Sequence, residues 1–139
     1  MLLLPACRDA QSVQDAHAAV ERQAADRLAG ARCVGAHATD AQKADIARLL
    51  VVDSLAPRGS LPPWLPSGFV TPEGGGDGAE VWNALAGRCP GAPTFGTPFG
   101  FPSADIEKAL RQDPAFAEAA DRYWAQVEQY RHQPPNATR

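Results

Sequence analysis

Residues 39–56, Thr39-Asp-Ala-Gln-Lys-Ala-Asp-Ile-Ala-Arg-Leu-Leu-Val-Val-Asp-Ser-Leu-Ala56, decide the fold class. Thr39 and Gln42 have the spacing of a capping box, in which hydroxyl and amide side chains each satisfy a backbone N–H at a helix start. Ala44, Ile46, Leu49, Leu50, Val52 and Leu55 follow, and Pro57 ends the run. Apolar residues lie nearly all round the second half of this helix, which predicts a central, largely buried element.

Working outward, the last helix has the clearest period. Asp113-Pro114 is an N-cap followed by proline at the first helical position, both favoured there. Phe116, Ala120, Tyr123, Val127 and Tyr130 then recur at steps of three and four, and Pro134-Pro135 ends the helix near residue 131. Just before it, Ser103 reads as the cap of a short helix with Ile106, Ala109 and Leu110 on one face. Residues 106–124, IEKALRQDPAFAEAADRYW, resemble the junction between tetratricopeptide repeats, with Ala109-Leu110, Asp113-Pro114 and Phe116-Ala-Glu-Ala119 in similar places. No second copy occurs and a solenoid needs about three repeats, so the resemblance implies a helical hairpin and nothing more.

Towards the N-terminus, Ser12-Val-Gln-Asp15 reads as a capping-box variant opening a helix with a thin stripe of Val13, Ala16, Val20, Ala24 and Leu28. Gly30 is placed to end it. A stripe made mostly of alanine predicts close packing against another element. Between the two well-marked halves, residues 57–102 change character: nineteen of the 46 are Gly or Pro, interleaved with Trp64, Phe69, Trp82, Phe95, Phe99 and Phe101. So many large aromatic side chains predict an ordered, irregular excursion laid over the helices rather than a slack linker. Within it Asp77 caps a short helix carrying Val81, Trp82 and Leu85.

The expectation is a single all-α domain spanning 1–139, a bundle of four to five helices with a long irregular excursion at about 57–102. No alternation of strand type appears. The chain contains 27 alanines, which favour closely packed helices and disfavour strands. Residues 1–11 form an apolar N-terminal segment and residues 132–139 a frayed tail, whose Asn136-Ala-Thr138 sequon matters only in a glycosylating cell.

Charge excludes one class of partner. The net charge is −3, and the basic residues, nearly all arginine, are scattered. Nucleic-acid binding therefore lacks its usual electrostatic drive. No apolar run reaches the roughly 18 residues of a transmembrane helix.

Three cysteines remain: Cys7, Cys33 and Cys89. Cys33 follows a helix end and Cys89 sits in a turn-rich loop, so these two are expected to form a disulfide. It would close about 57 residues and contribute on the order of 4 kcal/mol by chain entropy. Cys7 is then the leftover thiol, in Leu4-Pro5-Ala6-Cys7, close to a lipobox. The three leucines before it are too short an apolar stretch for a secretory signal, so a lipid anchor at Cys7 requires translation to begin upstream of Met1.

No constellation rises to a reaction mechanism. Cys33-Val-Gly-Ala-His37 is one cysteine short of a haem-attachment motif, and a metal site built on it would need Cys89, His17 or His132. The glycine-rich loop at 71–82 lacks the Lys-Ser/Thr of a P-loop. Asp45, Asp53, Asp105, Glu107, Glu118 and Asp121 read as solvated helix faces rather than general acids or bases. The expected function is thus non-enzymatic, with no cofactor and no metal: a contact protein that binds a protein partner. It could be a small cell-envelope or periplasmic (lipo)protein, an accessory subunit, or an inhibitor or immunity-type binder. Its expected contact residues are Trp64, Phe69, Phe95, Phe99 and Phe101, since proline-stiffened segments lose little entropy on docking and aromatic residues anchor interfaces. The competing expectation is a small metal-binding protein or thiol enzyme centred on Cys33, His37 and Cys89; a cytoplasmic location with reduced thiols is the alternative compartment.

Overall fold

The structure, a computed structural model, describes residues 5–56, 59–71, 76–97 and 100–133, the first five of these through their backbone. Among them every regular element is helical: α1 (Pro5–His37), α2 (Asp40–Leu55), α3 (Ser67–Val70), α4 (Gly78–Ala86), α5 (Ser103–Leu110) and α6 (Pro114–His132). Five of these are the expected helices. The sixth, α3, is a single turn inside the excursion. Of the tail, residues 134–139 lie outside the described residues.

Helix α2 is the centre of the bundle, packed against α6, α4 and α5. Its capping box is complete: Thr39 Oγ1 accepts from the Gln42 N–H at 3.2 Å, and Gln42 Oε1 accepts from the Thr39 N–H at 2.9 Å. Ile46, Ala47, Leu50 and Val51 are buried along it, while Leu49, Val52 and Leu55 are half-buried against the excursion and neighbouring helices. On α6, Phe116, Ala120, Tyr123 and Val127 are buried as their spacing requires. Asp113 caps that helix, accepting from the Ala115 N–H at 3.0 Å. Its other oxygen lies 2.6 Å from Lys43 Nζ of α2, so one carboxylate both starts α6 and ties it to α2. This contact lowers the Asp113 pKa and raises that of Lys43.

Two of the expected helices differ at their ends. Helix α1 does not begin at Ser12 or end at Gly30; it runs unbroken from residue 5 to residue 37, so residues 5–11 of the N-terminal segment are helical. Once a helix is nucleated each added residue gains a hydrogen bond, so a modest cap signal does not interrupt it. Gly30 is retained inside the helix for space: a Cβ there would stand 2.2 Å from the backbone N of Ala92. Gly35 does the same one turn on, where a Cβ would meet Leu110 at 2.7 Å. Ser103 is the second difference. It is the first residue of α5 rather than its cap, and its buried hydroxyl donates to the Asp53 carboxylate of α2.

The excursion is laid over the bundle and fastened at named points. Trp82 of α4 is fully buried, and its Nε1–H donates to the Pro93 carbonyl at 2.7 Å. Asn83 holds Phe95 by both backbone groups, donating to its carbonyl at 3.1 Å and accepting from its N–H at 2.9 Å. Phe101 packs edge-on against both Trp82 and Phe95. Phe69 of α3 stands edge-on to Tyr123 and Tyr130 of α6.

Candidate functional site

Two features of α1 stand apart from the packed body. The first is its N-terminal half. From Ala10 to Arg27 every residue is exposed except Ala18, which is half-buried; Val13 and Val20 are 68% and 64% exposed. Eighteen residues at 1.5 Å each make an arm about 27 Å long. Beyond it α1 enters the body, and Ala31, Val34 and Ala38 are buried at steps of three and four. Carried backwards, the same steps pass through half-buried Leu28 and reach Ala24, Val20, His17 and Val13. The face that α1 buries in the body therefore continues along the arm, uncovered by any of the described residues. Local pairs support the helix there: Gln11 donates to Asp15 at 3.2 Å, and His17 Nε2 lies 3.0 Å from Glu21.

The second feature is the junction of arm and body. Cys33 and Cys89 form the expected disulfide, with Cα atoms 5.7 Å apart. The loop carrying Cys89 is brought there by bare backbone: Gly91, at a φ of 83°, faces the Asp26 carbonyl so closely that a Cβ would sit 2.8 Å from its oxygen. His37, four residues and one turn beyond Cys33, is the last residue of α1. The side-chain ligand atoms of Cys33, His37 and Cys89 all lie within 4.8 Å of one another. Cys89 is buried, Cys33 half-buried and His37 exposed. The imidazole shares a surface hollow with Asp77, Glu80, Leu85 and Arg88.

The other candidate residues are placed as follows. Phe69 is buried; Trp64, Phe95 and Phe101 are half-buried and packed on the core. The Arg131 guanidinium lies over the Trp64 ring at 5.4 Å. Phe99 lies outside the described residues, as does the side chain of Cys7, near the start of α1. His17 pairs with Glu21 and His132 with Glu128, so neither joins the cysteines. Asp105 and Glu118 are exposed, as expected, whereas three of the other acids hold structural partners. Asp53 accepts from Ser103 and Glu107 from the Trp124 indole at 3.0 Å, while Asp121 receives Arg111 at 2.7 Å. Asp77 caps α4, accepting from the N–H groups of Ala79 and Glu80.

Sequence reasoning missed the arm. Its signal was there: in residues 10–27 only Val13 and Val20 are bulky and apolar, too few to bury a helix of that length. No helix among the described residues is long and apolar enough to cross a membrane. No protein family, curated protein or solved structure matches this chain, so its function is argued from its own residues.

Proposed function

We propose that this is a non-enzymatic contact protein of an oxidising compartment, the cell envelope or periplasm, acting as an accessory subunit or inhibitor-type binder. The uncovered half of α1 carries the reading. Most helical stability in proteins comes from packing an apolar face, and residues 10–27 have such a face, with Val13 and Val20 left exposed by the described residues. Its three- and four-residue spacing suits a second helix lying along it, the partner's apolar side against Val13, Ala16, Val20 and Ala24. The disulfide supports an oxidising compartment, since such bonds persist there and are rare in the cytosol. An acyl anchor on Cys7 belongs to the same reading, because it would place the membrane at the far end of the arm. The aromatic residues of the excursion support contact less, since each described one is already engaged within the chain.

Photo-crosslinking side chains at positions 13 and 20, with a control at the exposed Glu118, test the proposal in the native host. The expected result is a discrete protein adduct from the two arm positions and none from the control. Adducts from probes at Trp64 and Phe95 instead would move the interface to the excursion. No adduct from either region would end the reading.

A further inference from the structure

Beyond partner binding, and independently of it, the geometry points to a second state of the Cys33–Cys89 junction: on reduction, Cys33, Cys89 and His37 form a three-residue site for zinc(II).

The site is arranged before the metal arrives. A tetrahedral zinc with Zn–S near 2.3 Å and Zn–N near 2.0–2.1 Å sets its ligand atoms about 3.5–3.8 Å apart. The three ligand atoms here lie within 4.8 Å of one another with the disulfide closed, so on reduction side-chain rotation parts the two sulfurs and brings the imidazole in, over Cα atoms 5.7 Å apart. Cys33 and His37 come from successive turns of one rigid helix. Cys89 is held by contacts that do not depend on the disulfide. Its N–H donates to the Ala86 carbonyl at 3.0 Å, and its carbonyl accepts from the Ala92 N–H at 3.2 Å. Gly30 and Gly91 seat the following residues directly on the α1 backbone. Opening the S–S bond therefore leaves both sulfurs near the imidazole.

The chemistry balances with a dithiol as reductant. Two successive thiol–disulfide exchanges move the S–S bond into the reductant and leave Cys33 and Cys89 as thiols. Zinc then displaces both thiol protons to solvent, and neutral His37 gives a ring-nitrogen lone pair. The fourth position takes water or the carboxylate of Glu80, which lines the same hollow as His37. Cys33 is half-buried and His37 exposed, so the ion enters from solvent. The junction thus has two closed forms, a disulfide under oxidising conditions and a metal clasp under reducing ones, each tying α1 to the loop after α4.

The test uses the full chain, oxidised or reduced by a phosphine under anaerobic conditions, titrated with Zn²⁺ against a chromophoric chelator and with Co²⁺ for its spectrum. One zinc per reduced chain is expected, with release of the thiol protons, thiolate-to-cobalt charge-transfer absorption, and no binding by the oxidised chain. His37→Ala, at an exposed position, should weaken zinc binding by more than the roughly 10–100-fold lost with an outer-shell partner, whereas His17→Ala on the arm should not. Absence of stoichiometric zinc in the reduced wild type overturns the proposal, whether or not that protein stays folded. Equal zinc affinity in His37→Ala overturns the histidine's place in the site.

Discussion

At Gly30 one absent methyl group sets how closely α1 meets the loop after α4. A Cβ would stand 2.2 Å from Ala92 N and 2.7 Å from the Gly91 carbonyl carbon, and backbone atoms cannot rotate away as a side chain could. Alanine would gain about 1 kcal/mol of helix propensity there, yet overpacking costs typically 1–3 kcal/mol. Gly30→Ala is therefore expected to lower the melting temperature by several degrees. Gly68→Ala, with open space around it, is the control and should not lower it. A Gly30→Ala protein that melts at or above the wild-type temperature would contradict this packing. The residue was legible as special but not for what it does. A glycine in an alanine-rich helix reads equally as a stop or as a point of contact, and only the distant Gly91-Ala92 backbone decides between them. The Cys33–Cys89 pair was legible from the turn-rich loop around Cys89, although Cys33 lies inside α1 rather than after a helix end; the nearness of His37 to both sulfurs followed only from the fold.

Among the helices, the starts that could be read are those where one side chain serves its own turn. Thr39, Asp77 and Asp113 each accept from backbone N–H groups two or three residues on. Ser12 and Ser103 carry the same letters but are claimed otherwise, Ser12 by a helix already running and Ser103 by Asp53 of α2. Tertiary partners of this kind leave no local trace in the sequence. Asp113 does both jobs, and this has a pH signature. Its lowered pKa stabilises the fold above the ordinary carboxylate value of 3.8, and that contribution is lost as the pH falls through its lower folded value. For Lys43 the sign is opposite: its raised pKa stabilises below 10.5 and the contribution is lost as the pH rises through the higher folded value. Asp113→Asn keeps a cap acceptor and removes the ion pair. Its stability, measured by denaturant melts across pH, should depend on acid less steeply than the wild type. An unchanged acid limb would mean that this pair does not join α2 to α6 in solution.

For the whole molecule, the all-helical class and the central place of α2 followed from period and capping, because burial on every side of one helix requires neighbours around it. The aromatic excursion was legible as ordered, and the structure adds that its described side chains are largely spent covering an alanine-rich core. The arm was not legible, since a helix stripe in sequence implies a packing surface without saying whether the chain itself supplies the partner. That division between a braced body and an uncovered arm is the basis of the contact-protein reading. Amide hydrogen exchange along α1, in the purified protein and in the protein kept within its native envelope fraction, tests it most directly. The account predicts rapid exchange at residues 10–27 and slow exchange at residues 31–37 in the purified protein, with the arm becoming protected in the native fraction. Equal protection of the arm in both preparations would contradict it.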